Sequence, residues 1–76
     1  MKNVVSKHRF ATAGTLEQIR LAIVKFYCGS TVTLEGDGTD GNGRLCWTVS
    51  TGKGLCENVR VIALGRRFIF ESTEPA

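Results

Sequence analysis

The chain has 76 residues, 42% of them hydrophobic and 22% charged, the balance of an ordinary globular protein and not that of a disordered or low-complexity chain. At this length only roughly two-thirds of the surface is buried on folding, so there is room for one core and not for two. Ten Lys and Arg against seven Asp and Glu give a net charge of +3, spread with no block of like sign, a mild bias toward anionic partners.

The start, MKNVVSKHRF, carries Lys2, Lys7, His8 and Arg9 and lacks the apolar core of a secretion signal. No stretch of ~18 to 20 apolar residues follows it, so the expectation is a soluble, cytoplasmic protein with no membrane partner. Cys28, Cys46 and Cys56 are odd in number and widely spaced, which reads as reduced thiols and not as a disulfide framework.

Asn3 to Phe10 alternates loosely, with Val4, Ser6, His8 and Phe10 on one face, and predicts a strand. ATAGT breaks it. Thr15 followed by Gln18 has the spacing of a capping box, and Glu17 suits the positive end of a helix, so a helix is expected from Leu16 to Cys28, stopped by Gly29. Leu16, Ile19, Ala22, Ile23, Phe26 and Tyr27 form its apolar stripe.

Thr31–Glu35 alternates with Val32 and Leu34 inward, and Arg44–Ser50 with Leu45, Trp47 and Val49 inward, which predicts two strands joined by a long mobile loop. Asn58–Leu64 and Arg67–Glu71 are separated only by Gly65-Arg66, a tight hairpin that pairs Leu64 with Arg67, Ala63 with Phe68, Ile62 with Ile69, Val61 with Phe70 and Arg60 with Glu71. The expected fold is α+β: a strand and a helix followed by a four-stranded antiparallel meander, with the helix packed on one sheet face. Residues 1–71 form the single domain and residues 72–76 a short flexible tail.

Residues 35–44, EGDGTDGNGR, are the stretch that looks most like a site. Counted from Asp37 as a calcium loop, Thr39, Gly41, Asn42 and Thr48 fall where ligands and the obligatory glycine belong, so the pattern fails. A phosphate cradle requires a following helix, and an alternating strand follows instead. Turn-forming glycines and Asp/Asn side chains account for the composition.

No pair of cysteines has zinc-ligand spacing, His8 is the only base a thiolate could use, and so small a core leaves little room for a pocket of roughly 300 Å³ or more. The expectation is no enzyme activity, no metal and no cofactor. Arg66-Arg67-Phe68-Ile69-Phe70 lacks the glycines of aromatic RNA-binding strands, and its Phe68 and Phe70 fall on the face of Val59 and Val61, so they read as core.

More apolar surface remains than one helix on one sheet can bury. Leu21 and Val24 lie opposite the main helix stripe, and Ile62 and Ile69 on the second sheet face. Together with Asp37 and Asp40 of the glycine-rich stretch, they are the candidate residues for binding another protein, and the apolar pairs are also candidate surfaces for a homodimer. The preferred reading is a small non-enzymatic module that binds or inhibits another protein, such as a host or defence complex, in the style of the small proteins that bacteria, phages and plasmids encode. The alternative is a small nucleic-acid-binding protein that uses Lys53, Arg60, Arg66 and Arg67.

Overall fold

The computed structural model describes residues 9–72. One helix and five antiparallel strands in a single sheet make an α+β domain: β1 Arg9–Ala13, α1 Leu16–Phe26, β2 Val32–Thr39, β3 Leu45–Thr51, β4 Gly54–Leu64 and β5 Arg67–Ser72. The strand order is β1-β5-β4-β3-β2. Four successive antiparallel steps leave the two edge strands, β1 and β2, parallel to each other, and parallel strands need a crossover. Helix α1 supplies it, carrying the chain from one edge of the sheet to the other. The first strand joins the four that follow α1 in one five-stranded sheet.

Within the described residues β1 begins at Arg9, and the expected strand residues 3–8 lie outside them. Ala11, Thr12 and Ala13, read from sequence as a break, continue the strand because they pair with Phe70, Ile69 and Phe68 of β5. The register slips between Arg9 and Ala11, and at that bulge Phe10 packs on the helix side of the sheet, its ring 5.2 Å from Phe70 and 4.9 Å from Phe26. At the other end of the sequence β5 runs through Ser72, one residue into the segment read as a tail.

Helix α1 starts where its cap dictates. Thr15 is extended (φ −135°, ψ 159°) and its Oγ1 accepts a hydrogen bond from the Gln18 amide at 3.1 Å, satisfying one of the open amides of the first turn. Thr15→Ala should cost about 1 kcal/mol of stability in a urea titration, whereas Thr15→Ser, which keeps the acceptor, should leave the midpoint nearly unchanged.

The helix ends at Phe26, before the expected Cys28. Cys28 itself turns left-handed (φ 59°), Gly29 follows at φ 89°, and the Gly29 amide donates to the Val24 carbonyl at 2.8 Å. The left-handed stop is thus shared by a cysteine and a glycine, where glycine alone was expected.

Ile19 and Ile23 of the helix, Val32, Val49, Val61 and Phe70 of the sheet form the buried core, with Leu16, Val24, Tyr27, Leu34, Trp47, Cys56 and Phe68 packed around it. Trp47 is half-buried, its ring 5.5 Å from Phe68 and opposite Gly36, where a Cβ would stand 3.9 Å from the indole nitrogen. The β4–β5 hairpin has the register that a two-residue loop imposes, from Leu64↔Arg67 to Arg60↔Glu71. Between β3 and β4 only Thr48 faces Glu57, Asn58, Val59 and Arg60, a large bulge in which Asn58 takes φ 68°. Asparagine tolerates that left-handed backbone better than most side chains.

The first half of the glycine-rich stretch, through Thr39, is strand, so the connection is shorter than the long loop expected. β2 runs through Thr39, past a register slip after Gly36 and a left-handed Gly38 (φ 76°). Asp40 closes the remaining turn: its Oδ1 accepts from the amides of Asn42 at 2.8 Å and Arg44 at 2.9 Å, and its own amide donates to the Arg44 carbonyl at 2.8 Å. These bonds, the Arg44 amide foremost, hold the Asp40 carboxyl below its ordinary range.

Candidate functional site

Edge strand β2 runs beside the first half of α1, and an open groove of about 520 Å³ lies between them. Leu16, Glu17 and Arg20 line it from the helix, and Val32, Thr33 and Leu34 from the strand. The alternation that turns Val32 and Leu34 toward the helix makes an apolar floor, while the helical spacing of Leu16 and Arg20 sets an apolar and a charged side chain above it. Arg20 closes on Glu17 through two hydrogen bonds, and this contact holds the Glu17 carboxyl below its ordinary range. The charged rim is therefore already self-paired. Past the groove, Glu35 and Asp37 are exposed on β2.

On the sheet face away from the helix, register builds a second assembly. Cys46, Ile62, Ile69 and Thr12 form one row across four strands, and Arg60, Glu71 and Arg9 form the next. Glu71 is buried at 3% exposure and its Oε2 accepts from the Arg60 guanidinium at 3.0 Å. Ile62 and Ile69, on the inner strands β4 and β5, are 1% and 3% exposed. They are core side chains of that face and not the open surface read from the sequence.

The remaining candidates separate in the same way. Val24 packs against the core and only Leu21, 48% exposed, stays on the outer helix surface. Asp40 is committed to its own turn, while Asp37 stays exposed at the surface. Lys53 sits in the β3–β4 turn, whereas Arg66 and Arg67 stand at the β4–β5 turn, at opposite ends of the eleven-residue strand β4. Arg60 is bound to Glu71. The four basic residues thus make no single stripe for a phosphate backbone to follow.

Among the described residues no three His, Cys, Asp or Glu side chains gather as a metal-binding group, and no helix is long and apolar enough to cross a membrane. The three cysteines are free thiols. Cys56 faces the core beside Tyr27, and burial, helped by this thiol, pushes the Tyr27 phenol up to about 12. A phenol whose ordinary value is 10.0 stays neutral longer in the fold than in the unfolded chain, so its share of stability is complete below pH 10 and is lost as pH rises toward 12. Tyr27 is the single tyrosine, so phenolate absorbance should titrate near 12 in the folded protein and near 10 in denaturant.

No protein-family model, curated protein or solved structure matches this chain.

The groove was hidden from the sequence. Val32 and Leu34 are legible as inward residues and Leu16 as part of the helix stripe, but their meeting at an open edge depends on β2 being the last strand in the sheet. One signal was present: Glu35, Gly36, Asp37 and Gly38 put charge and glycine where an edge strand needs protection from unwanted pairing.

Proposed function

We propose that this chain is a small non-enzymatic module that binds another protein and acts as an accessory or inhibitory subunit. The arrangement we read for it is a β1–α1 unit set on the meander β2 to β5, with α1 over one face and its N-terminal half beside the open edge. The observation that carries the proposal is the groove between α1 and β2, whose floor is apolar and whose only charged pair, Glu17 with Arg20, is mutually satisfied. Such a lining offers contact area and shape, and places no nucleophile beside a base.

The dispersed basic residues weigh against the nucleic-acid alternative. Capture by the immobilised chain from a lysate of the cell that encodes it tests the two readings together. A retained protein that is lost with Thr33→Arg, a change at an exposed residue of the strand that borders the groove, supports the proposal. Capture indifferent to that substitution would oppose it, as would retention of generic DNA or RNA that weakens steeply with salt, the mark of phosphate-driven binding.

A further inference from the structure

We propose that β2 receives an extended segment of the partner protein as a sixth strand of the sheet, and that this segment alternates apolar with basic side chains. The inference rests on the protein-binding reading and specifies its mode. Among the described residues β2 is the outer strand of the sheet, so alternate residues along it turn both their N–H and C=O groups away from β3. Its ladder with β3 is unbroken from Val32 to Gly36, five consecutive pairs, whereas β1, the opposite edge, has a bulge and only three consecutive pairs, Ala11 to Ala13. A regular edge is the better template, because an added strand gains one set of backbone bonds per two residues only while the register holds.

The two faces of an added strand would meet different chemistry. Its side chains on the helix side would enter the groove against Leu16, Val32 and Leu34, which suits aliphatic residues. Side chains on the other side would lie next to Thr33 and Glu35, both exposed, with Asp37 further along. The strand VTLEGDGT carries two carboxylates and no basic residue, and opposite charges on neighbouring strands attract while like charges repel. A second copy of β2 is therefore a poor occupant, since antiparallel pairing of two such strands sets carboxylates near carboxylates. Lysine or arginine at alternate positions fits.

The test uses a synthetic peptide of alternating valine and lysine, of the same eight-residue length as β2, followed by amide NMR and hydrogen exchange on the full chain. The expected result is slowed exchange at alternate residues of β2 and none at β1, with binding weakened by salt and lost when glutamate replaces lysine. Two further peptides carry N-methyl groups at either the odd or the even residues. Only one edge of an added strand donates to β2, so one of these peptides should keep binding and the other should lose it. Equal behaviour of the two, or protection that avoids β2, would overturn strand addition. If that happens while a cellular partner is still captured in a Thr33-sensitive way, the mode is wrong and the protein-binding reading stands. If capture fails as well, both fall.

Discussion

Phe70→Ala should remove about 3 to 5 kcal/mol, the usual cost of truncating a fully buried phenylalanine. The usual per-residue yield gives a chain this small a total stability on the order of 4 to 11 kcal/mol, so this one change should leave a large unfolded fraction in water. Phe70 is wholly buried and sits at the junction of every layer. Its neighbours across the sheet are Ala11 and Val61, and the rings of Phe10, Phe26 and Tyr27 surround it at 5.2, 5.3 and 6.3 Å. These rings cannot fully close over the space that the missing benzyl group leaves, because Phe10 is anchored in β1 and Phe26 and Tyr27 at the end of α1. Urea titration followed by Trp47 fluorescence gives the measurement. Phe26→Ala is the internal control: that ring touches the same cluster but is 47% exposed, so its loss should be clearly smaller. Similar midpoints for the two variants would mean that Phe70 is not the keystone described here.

Ile69→Asp should unfold the protein and not merely separate a dimer. From the sequence alone Ile69 is a surface aliphatic, and an aspartate there would act only on an interface. In the structure it is 3% exposed, between Ile62 on one neighbouring strand and Thr12 on the other. The substitution forfeits roughly 1.5 to 3 kcal/mol of apolar burial, and it places a carboxylate where desolvation adds several kcal/mol more unless the group takes up a proton. Far-ultraviolet circular dichroism and light scattering separate the outcomes. The expected result is loss of the sheet signal at neutral pH. A folded protein of 8.3 kDa would show that the isoleucine row tolerates water, and a folded variant derived from a dimeric parent would restore the interface reading. Leu21→Asp, on the exposed outer helix surface, should leave the fold intact.

These two predictions mark the boundary between what could be read along the chain and what could not. The hairpin register from Arg60↔Glu71 to Leu64↔Arg67 follows from a two-residue loop and the strand period of two, because once the loop length is set each pair is dictated by the one before it. The Thr15 cap is equally local, since donor and acceptor are three residues apart. The identity of Ile62 and Ile69 as partners was legible for the same reason. Their burial was not, because it is a property of the assembled sheet that no local pattern carries. The length of β2 was misjudged for a related cause. Gly36, Asp37 and Gly38 have turn propensity when taken singly, yet pairing with β3 at Gly36 and again at Thr39, with the Trp47 ring beside Gly36, keeps the segment in the sheet across the slip.

The sequence by itself therefore determined the order of helix and strands, the inward positions other than Leu45, which is 56% exposed, and Phe26, the β4–β5 register and the Arg60–Glu71 pair. Each rests on periodicity or on contacts a few residues apart, where the chain has little freedom to choose. Only the tertiary structure decided that α1 spans the sheet from β1 to β2, that β2 is an open edge with a groove beside it, and that Lys53 and the Arg66–Arg67 pair lie at opposite ends. Strand order is settled by the sum of many long-range contacts, each weak and none encoded at a single position, so the candidate site exists only once the whole sheet has closed around the core.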